Sequence, residues 1–140
     1  MATRLTTLRT DEVDVGDELP PLVLDITPTM IVSTAIATRD YQDVHHDRDL
    51  AKQKGSKDIF MNILTTNGYV GRFITDWTGP EAILKKVSIR LGAPNYPYDT
   101  MTLTGKVTAK NDDGTIEVEI RGANSLGDHV TGTVTLVLST

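Results

Sequence analysis

The stretch Ile59-Phe60-Met61-Asn62-Ile63-Leu64-Thr65-Thr66-Asn67-Gly68-Tyr69-Val70-Gly71-Arg72-Phe73-Ile74-Thr75-Asp76-Trp77 ends at the break Thr78-Gly79-Pro80, and across that break the hydrophobic period changes. Before it, Phe60, Ile63, Leu64, Val70, Phe73, Ile74 and Trp77 recur at helical spacing, which predicts one long helix over 59–77. Asp58 stands where an N-cap carboxylate would accept the orphan amides of the first turn. Thr65, Thr66, Asn67 and Gly68 give the helix a small-residue face, which suits the close approach of another element.

After the break the period is 2 to the end of the chain. Val87, Ile89 and Leu91 alternate with Ser88 and Arg90; Met101, Leu103, Gly105 and Val107 with Thr102, Thr104 and Lys106; Ile116, Val118 and Ile120 with Glu117, Glu119 and Arg121; Val134, Leu136 and Leu138 with Thr133, Thr135 and Val137. These predict four half-buried strands, with Asn111-Asp112-Asp113-Gly114 as a hairpin loop and Asn124-Ser125-Leu126-Gly127-Asp128 as the next connection. Upstream, Leu19-Pro20-Pro21-Leu22-Val23-Leu24 starts the fold as an edge strand, and residues 30–38, with Thr29 as a possible cap, favour a short helix. Residues 1–17 are polar and aperiodic, and read as a flexible lead-in to a domain over 18–140. One long helix wrapped by an antiparallel meander, with a first strand ahead of it, is α+β: the single hotdog arrangement.

At 140 residues the chain has the length of one domain, for which about 100–200 residues is usual. A net charge of −5 and no Lys/Arg stripe argue against nucleic acid as a partner. The absence of cysteine removes thiolate nucleophiles and Cys-ligated zinc. With no signal-peptide run and no long apolar segment, the expectation is a cytoplasmic protein with no membrane partner.

The densest polar constellation is Asp40-Tyr41-Gln42-Asp43-Val44-His45-His46-Asp47-Arg48-Asp49, between the short helix and the long one. No metal is expected there, because adjacent histidines diverge from one backbone and the acidic positions do not match an oxygen-ligand ladder. A solvated connector whose carboxylates cap the next turn is one alternative. The other is an acid–base pair: a bent loop can bring Asp40 and His45 onto one water.

Asp40-Tyr41-Gln42-Asp43-Val44-His45, with five residues and then Ala51, resembles the hydratase motif of the MaoC-like, R-specific enoyl-CoA hydratases. That motif reads Gly-Asp-x-Asn-Pro-aliphatic-His, five residues, then a small one. Asp40, Val44, His45 and Ala51 are in register, whereas Arg39, Gln42 and Asp43 replace the glycine, asparagine and proline. The resemblance implies a hotdog fold, Asp40 and His45 as the catalytic pair, no cofactor, and an oxyanion donor in the backbone N–H of Asn62, seventeen residues after the histidine, where the family has a glycine. Within the family, the strings 31–49, 55–60 and 126–131 are similar to small MaoC-type subunits of bacterial steroid side-chain hydratases. That likeness implies a steroid enoyl-CoA substrate and a heterodimer or heterotetramer with a larger two-domain MaoC subunit, which supplies a degenerate hotdog and can carry an aldolase of thiolase-like type.

Adding water across a double bond conjugated to a thioester needs a base, a proton for the α carbon, and a donor for the enolate oxygen. His45 suits the first role, Asp40 the orientation of water and the second proton, and the Asn62 amide, in the first turn of the long helix, the third. On that expectation the side chain of Asn62 is secondary. Arg39 is a candidate substrate contact, toward either a carboxylate or coenzyme A phosphates. His46 and Asp47 suit loop positions, and His129, Tyr69 and Trp77 suit structural ones. A hotdog thioesterase would want its carboxylate on the long helix, where only Asp76 is found, at the end. A non-catalytic scaffold and a homodimeric hydratase of linear acyl-CoA remain as alternatives.

Overall fold

In the computed structural model, which describes residues 4–140, the chain orders β1 (Leu22–Ile26), α1 (Pro28–Ala37), α2 (Arg48–Gln53), α3 (Ile63–Thr78), β2 (Ile83–Leu91), β3 (Asp99–Lys110), β4 (Thr115–Asn124) and β5 (Gly127–Val137). Short 3-10 turns occupy Thr10–Glu12 and Asp43–His45. The five strands form one antiparallel sheet in the order β1-β3-β4-β5-β2, the hotdog architecture. Alternation specifies which face a residue occupies and not which strand is its neighbour. Only β3, β4 and β5 form the expected meander; β2 crosses to the far edge and pairs with β5.

The buried face of the sheet carries Met101, Leu103, Val107, Ile116, Val118, Ile120, Val130, Val134 and Leu136, and Val70, Phe73 and Ile74 of α3 complete the core. Gly105 falls in the alternation where a side chain would obstruct the helix: a Cβ there would stand 3.1 Å from the Phe73 ring. Its absence seats Phe73 on the sheet, where burial contributes roughly 1.5–3 kcal/mol.

Helix α3 begins four residues later than its apolar spacing predicts. The Phe60 N–H donates to the Val44 carbonyl and the Met61 N–H to the Asn95 carbonyl, so the segment before Asn62 is pinned by partners outside any helix. Ile59 and Met61 are buried without helical geometry. The N-cap is Asn62, not Asp58, whose carboxylate instead accepts from Arg48 Nε and the Ile59 N–H. Ile63 and Leu64, expected on the buried stripe, point outward at 52% and 49% exposure, while Thr65 and Thr66 face inward. For α1, Thr27 is the cap, with Pro28 in the first turn.

The polar segment expected to lead in flexibly is fastened to the domain by backbone hydrogen bonds at Arg4, Leu8, Thr10, Gly16 and Asp17; residues 1–3 of that expectation lie outside the described residues. The last carbonyls of α3 need donors, and the N–H groups of Arg4 and Leu8 supply them to Asp76 and Thr78. Leu8 and Val13 are buried, and Lys110 Nζ donates to the Thr10 and Val13 carbonyls. At Gly79, with φ +95°, a Cβ would meet the Thr7 backbone, so the crossing of segment and helix end requires glycine.

Candidate active site

Helix α1 ends in a Schellman arrangement: the Arg39 N–H donates to the Ile36 carbonyl and the Asp40 N–H to the Ala35 carbonyl. Arg39 is therefore left-handed, at φ +58°, the conformation in which glycine is favoured. This accounts for the glycine that the related motif places before its aspartate. The Arg39 side chain is exposed and makes no ion pair among the described residues.

The loop then bends back. The Gln42 N–H donates to Asp40 Oδ1, and the 3-10 turn Asp43–His45 delivers the imidazole to the carboxylate, His45 Nε2 lying 3.4 Å from Asp40 Oδ2. Asp43, standing where the motif has proline, is fixed by an ion pair with Lys54 at 3.0 Å. Asp47 caps α2 through the Leu50 N–H, and Ala51 is fully buried behind the loop. His46 points to solvent.

The other ring nitrogen settles the tautomer. His45 Nδ1–H donates to the Phe60 carbonyl at 2.7 Å, an atom that only accepts, so neutral His45 presents a lone pair on Nε2. The Phe60 ring stands edge-on at 5.0 Å and holds the imidazole in place. His45 is buried while Asp40 keeps partial access to solvent.

Asn62 joins the pair by its side chain, which sequence reasoning assigned no part. Its Nδ2 donates to Asp40 Oδ2 at 3.1 Å and to Thr38 Oγ1 at 2.9 Å, while its Oδ1 accepts from the Thr65 N–H and hydroxyl. The Asn62 hydrogen bond, with the Gln42 N–H and the proximity of His45, holds the Asp40 carboxyl below its ordinary pKa against the opposing effect of burial. Asp40 is thus a carboxylate at neutral pH. The backbone N–H of Asn62 stands at the positive end of α3 as the N-cap residue, one position before the first turn in which it was expected.

Behind the pair, residues 92–97 brace α3. Buried His129 donates from Nδ1 to the Ala93 carbonyl and accepts at Nε2 from the Thr66 hydroxyl, and burial lowers its pKa, so it is a neutral structural clamp. Buried Asn95 receives the Met61 N–H on its carbonyl and an amide proton of Asn124 on its side chain. Neither Thr38 nor Asn95 carries a motif signal; their roles arise from tertiary contacts. Asp76 pairs with Arg72, fourteen residues along the helix from Asn62, or about 21 Å. It is too far from the Asp40–His45 pair to serve there as a thioesterase carboxylate would.

No protein-family model matches the chain. The 3-oxo-4,17-pregnadiene-20-carboxyl-CoA hydratase beta subunit of Mycobacterium tuberculosis is 62% identical over 122 residues, covering 87% of this chain and 94% of that protein. The crystal structure of the ChsH1-ChsH2 complex from the same organism contains a chain that superposes with a TM-score of 0.87 at 60% identity, over 89% of this chain and 98% of that one. The R-hydratase PhaJ1 of Pseudomonas aeruginosa superposes with a TM-score of 0.88 over 96% of this chain and 88% of its own, at 19% identity, a likeness of fold. With that identity over most of both sequences, the hotdog sheet, and Asp40 and His45 brought together by the motif loop, the chain belongs to the MaoC-like hydratases, in the group of the pregnadiene-carboxyl-CoA hydratase beta subunit.

Proposed function

We propose that the chain is the catalytic subunit of a hetero-oligomeric enoyl-CoA hydratase, adding water to 3-oxo-4,17-pregnadiene-20-carboxyl-CoA to give its 17-hydroxy product. The observation that carries the chemistry is the pair of acceptors 3.4 Å apart: the lone pair of His45 Nε2, fixed by Phe60, and the Asp40 carboxylate. Two adjacent acceptors suit one water that donates a hydrogen to each. The substrate comes from the name of the 62% identical relative.

His45 takes one proton of that water as its oxygen bonds to the β carbon; the π electrons move onto the thioester oxygen, and the enolate is held at the Asn62 N–H. The enolate collapses as the proton taken by His45 is passed through Asp40 to the α carbon, while the water's other hydrogen stays on the new hydroxyl. Water's hydrogen and hydroxyl are then both in the product and the pair is restored. Arg39, exposed and without an ion pair among the described residues, suits a contact with the coenzyme. The motif departures at Arg39 and Asp43 are absorbed locally, by the Schellman turn and by Lys54, which favours catalysis over a scaffold role.

The partner is a larger two-domain MaoC subunit, and through it an aldolase of thiolase-like type. Ile36, Ile63 and Leu64, near half exposed on α1 and α3, suit its coverage. The test is to purify the chain alone and with a co-expressed large subunit and follow loss of enoyl-thioester absorbance. Steroid hydration by the complex and not by the chain alone is expected. Equal rates from the isolated chain would replace this proposal by a homodimer, and no turnover in either would leave a scaffold.

A further inference from the structure

We infer that the Asn62 side chain is a positioning residue for the hydration, its amide N–H holding the Asp40 carboxylate against His45 while its oxygen caps α3. This rests on the hydratase assignment but not on the backbone N–H, which any residue at position 62 supplies. The geometry is overdetermined. Asn62 is 2% exposed, and both amide protons and the carbonyl oxygen are engaged. The Thr65 N–H can only donate, so it must face Oδ1, and that fixes which end of the amide meets Asp40.

Three consequences follow for Asp40. One lone pair of Oδ2 is occupied by Asn62, so water must use those that remain, beside His45 Nε2. The carboxylate rotor is restrained at one oxygen by Asn62 and at the other by the Gln42 N–H. Finally, Thr38, at the end of α1, accepts the second Asn62 proton, so the end of α1 and the start of α3 are joined by the side chain that holds Asp40. A glycine here, as in the related motif, leaves the oxyanion donor and removes all of this.

The test uses Asn62→Ser and Asn62→Asp in the complex with the large subunit. Serine and aspartate both cap helices, so α3 retains its start, and thermal melts verify it. Serine removes the donor to Asp40; aspartate sets a like charge against it. With Asn62→Ser kcat should fall roughly tenfold, the scale of a charge-assisted hydrogen bond, with KM little changed. Asn62→Asp should lower kcat further at a similar KM. Folded variants whose kcat matches wild type would overturn the inference while leaving the hydratase assignment standing. A wild-type complex that does not hydrate at all would remove both at the control.

Discussion

Arg39 holds a backbone conformation that costs an L-residue about 1–2 kcal/mol, and it does so one position from Asp40 with its guanidinium in no ion pair among the described residues. Arg39→Gly should therefore raise the melting temperature by a few degrees, about 1 kcal/mol, and raise KM for the CoA thioester at nearly constant kcat. Calorimetry and steady-state kinetics on the same preparation check both; a higher Tm with unchanged KM would dismiss Arg39 as a substrate contact. At this scale the Asp40–His45 register was legible, because five residues of loop suffice to bring the pair together. The side chain of Asn62 was not. Its place as N-cap depends on Phe60 and Met61 being held by Val44 and Asn95, contacts that no local pattern encodes.

Helix α3 is fastened to the 92–97 loop by one neutral histidine, and that fastening has a pH signature. His129 binds its proton less readily in the folded chain than at its ordinary pKa of 6.5, so below about pH 6.5 the unfolded state holds more protons and stability falls as pH falls. Thermal melts between pH 7.5 and 5, in steps of about half a unit, should show this loss, at up to about 1.4 kcal/mol per pH unit, and His129→Gln should flatten it. A wild-type Tm flat across that interval would refute the clamp. Nearer pH 4, protonation of Asp40 and Asp99, both held below the ordinary carboxylate range by hydrogen bonds, should add to the loss. Four of the five strands were legible from period 2, and β1 from the apolar run after two prolines. Their order was not, since alternation is silent on neighbours, and the packing of the lead-in was hidden because its anchors are backbone groups meeting the open carbonyls of α3.

The whole molecule presents Ile36 and Leu64 at 52% and 49% exposure, beside an apolar groove of about 260 Å³ between α1 and α3 that Thr38 and Thr65 connect to the Asp40–Asn62 contact. Such a surface on a 140-residue chain should not remain bare. Light scattering should give the co-expressed pair a mass that requires both subunits, whereas a fully active single small subunit would contradict the heteromeric proposal. No helix among the described residues is long and apolar enough to cross a membrane. The most direct test of the account is the single-turnover hydration of the steroid enoyl-CoA by complexes built with wild-type, Asp40→Ala or His45→Ala small subunits matched in mass and melting temperature. The predicted result is a loss of about 10²–10⁴-fold in each variant; near wild-type turnover in either, in a folded complex, would contradict the assignment of catalysis to this chain.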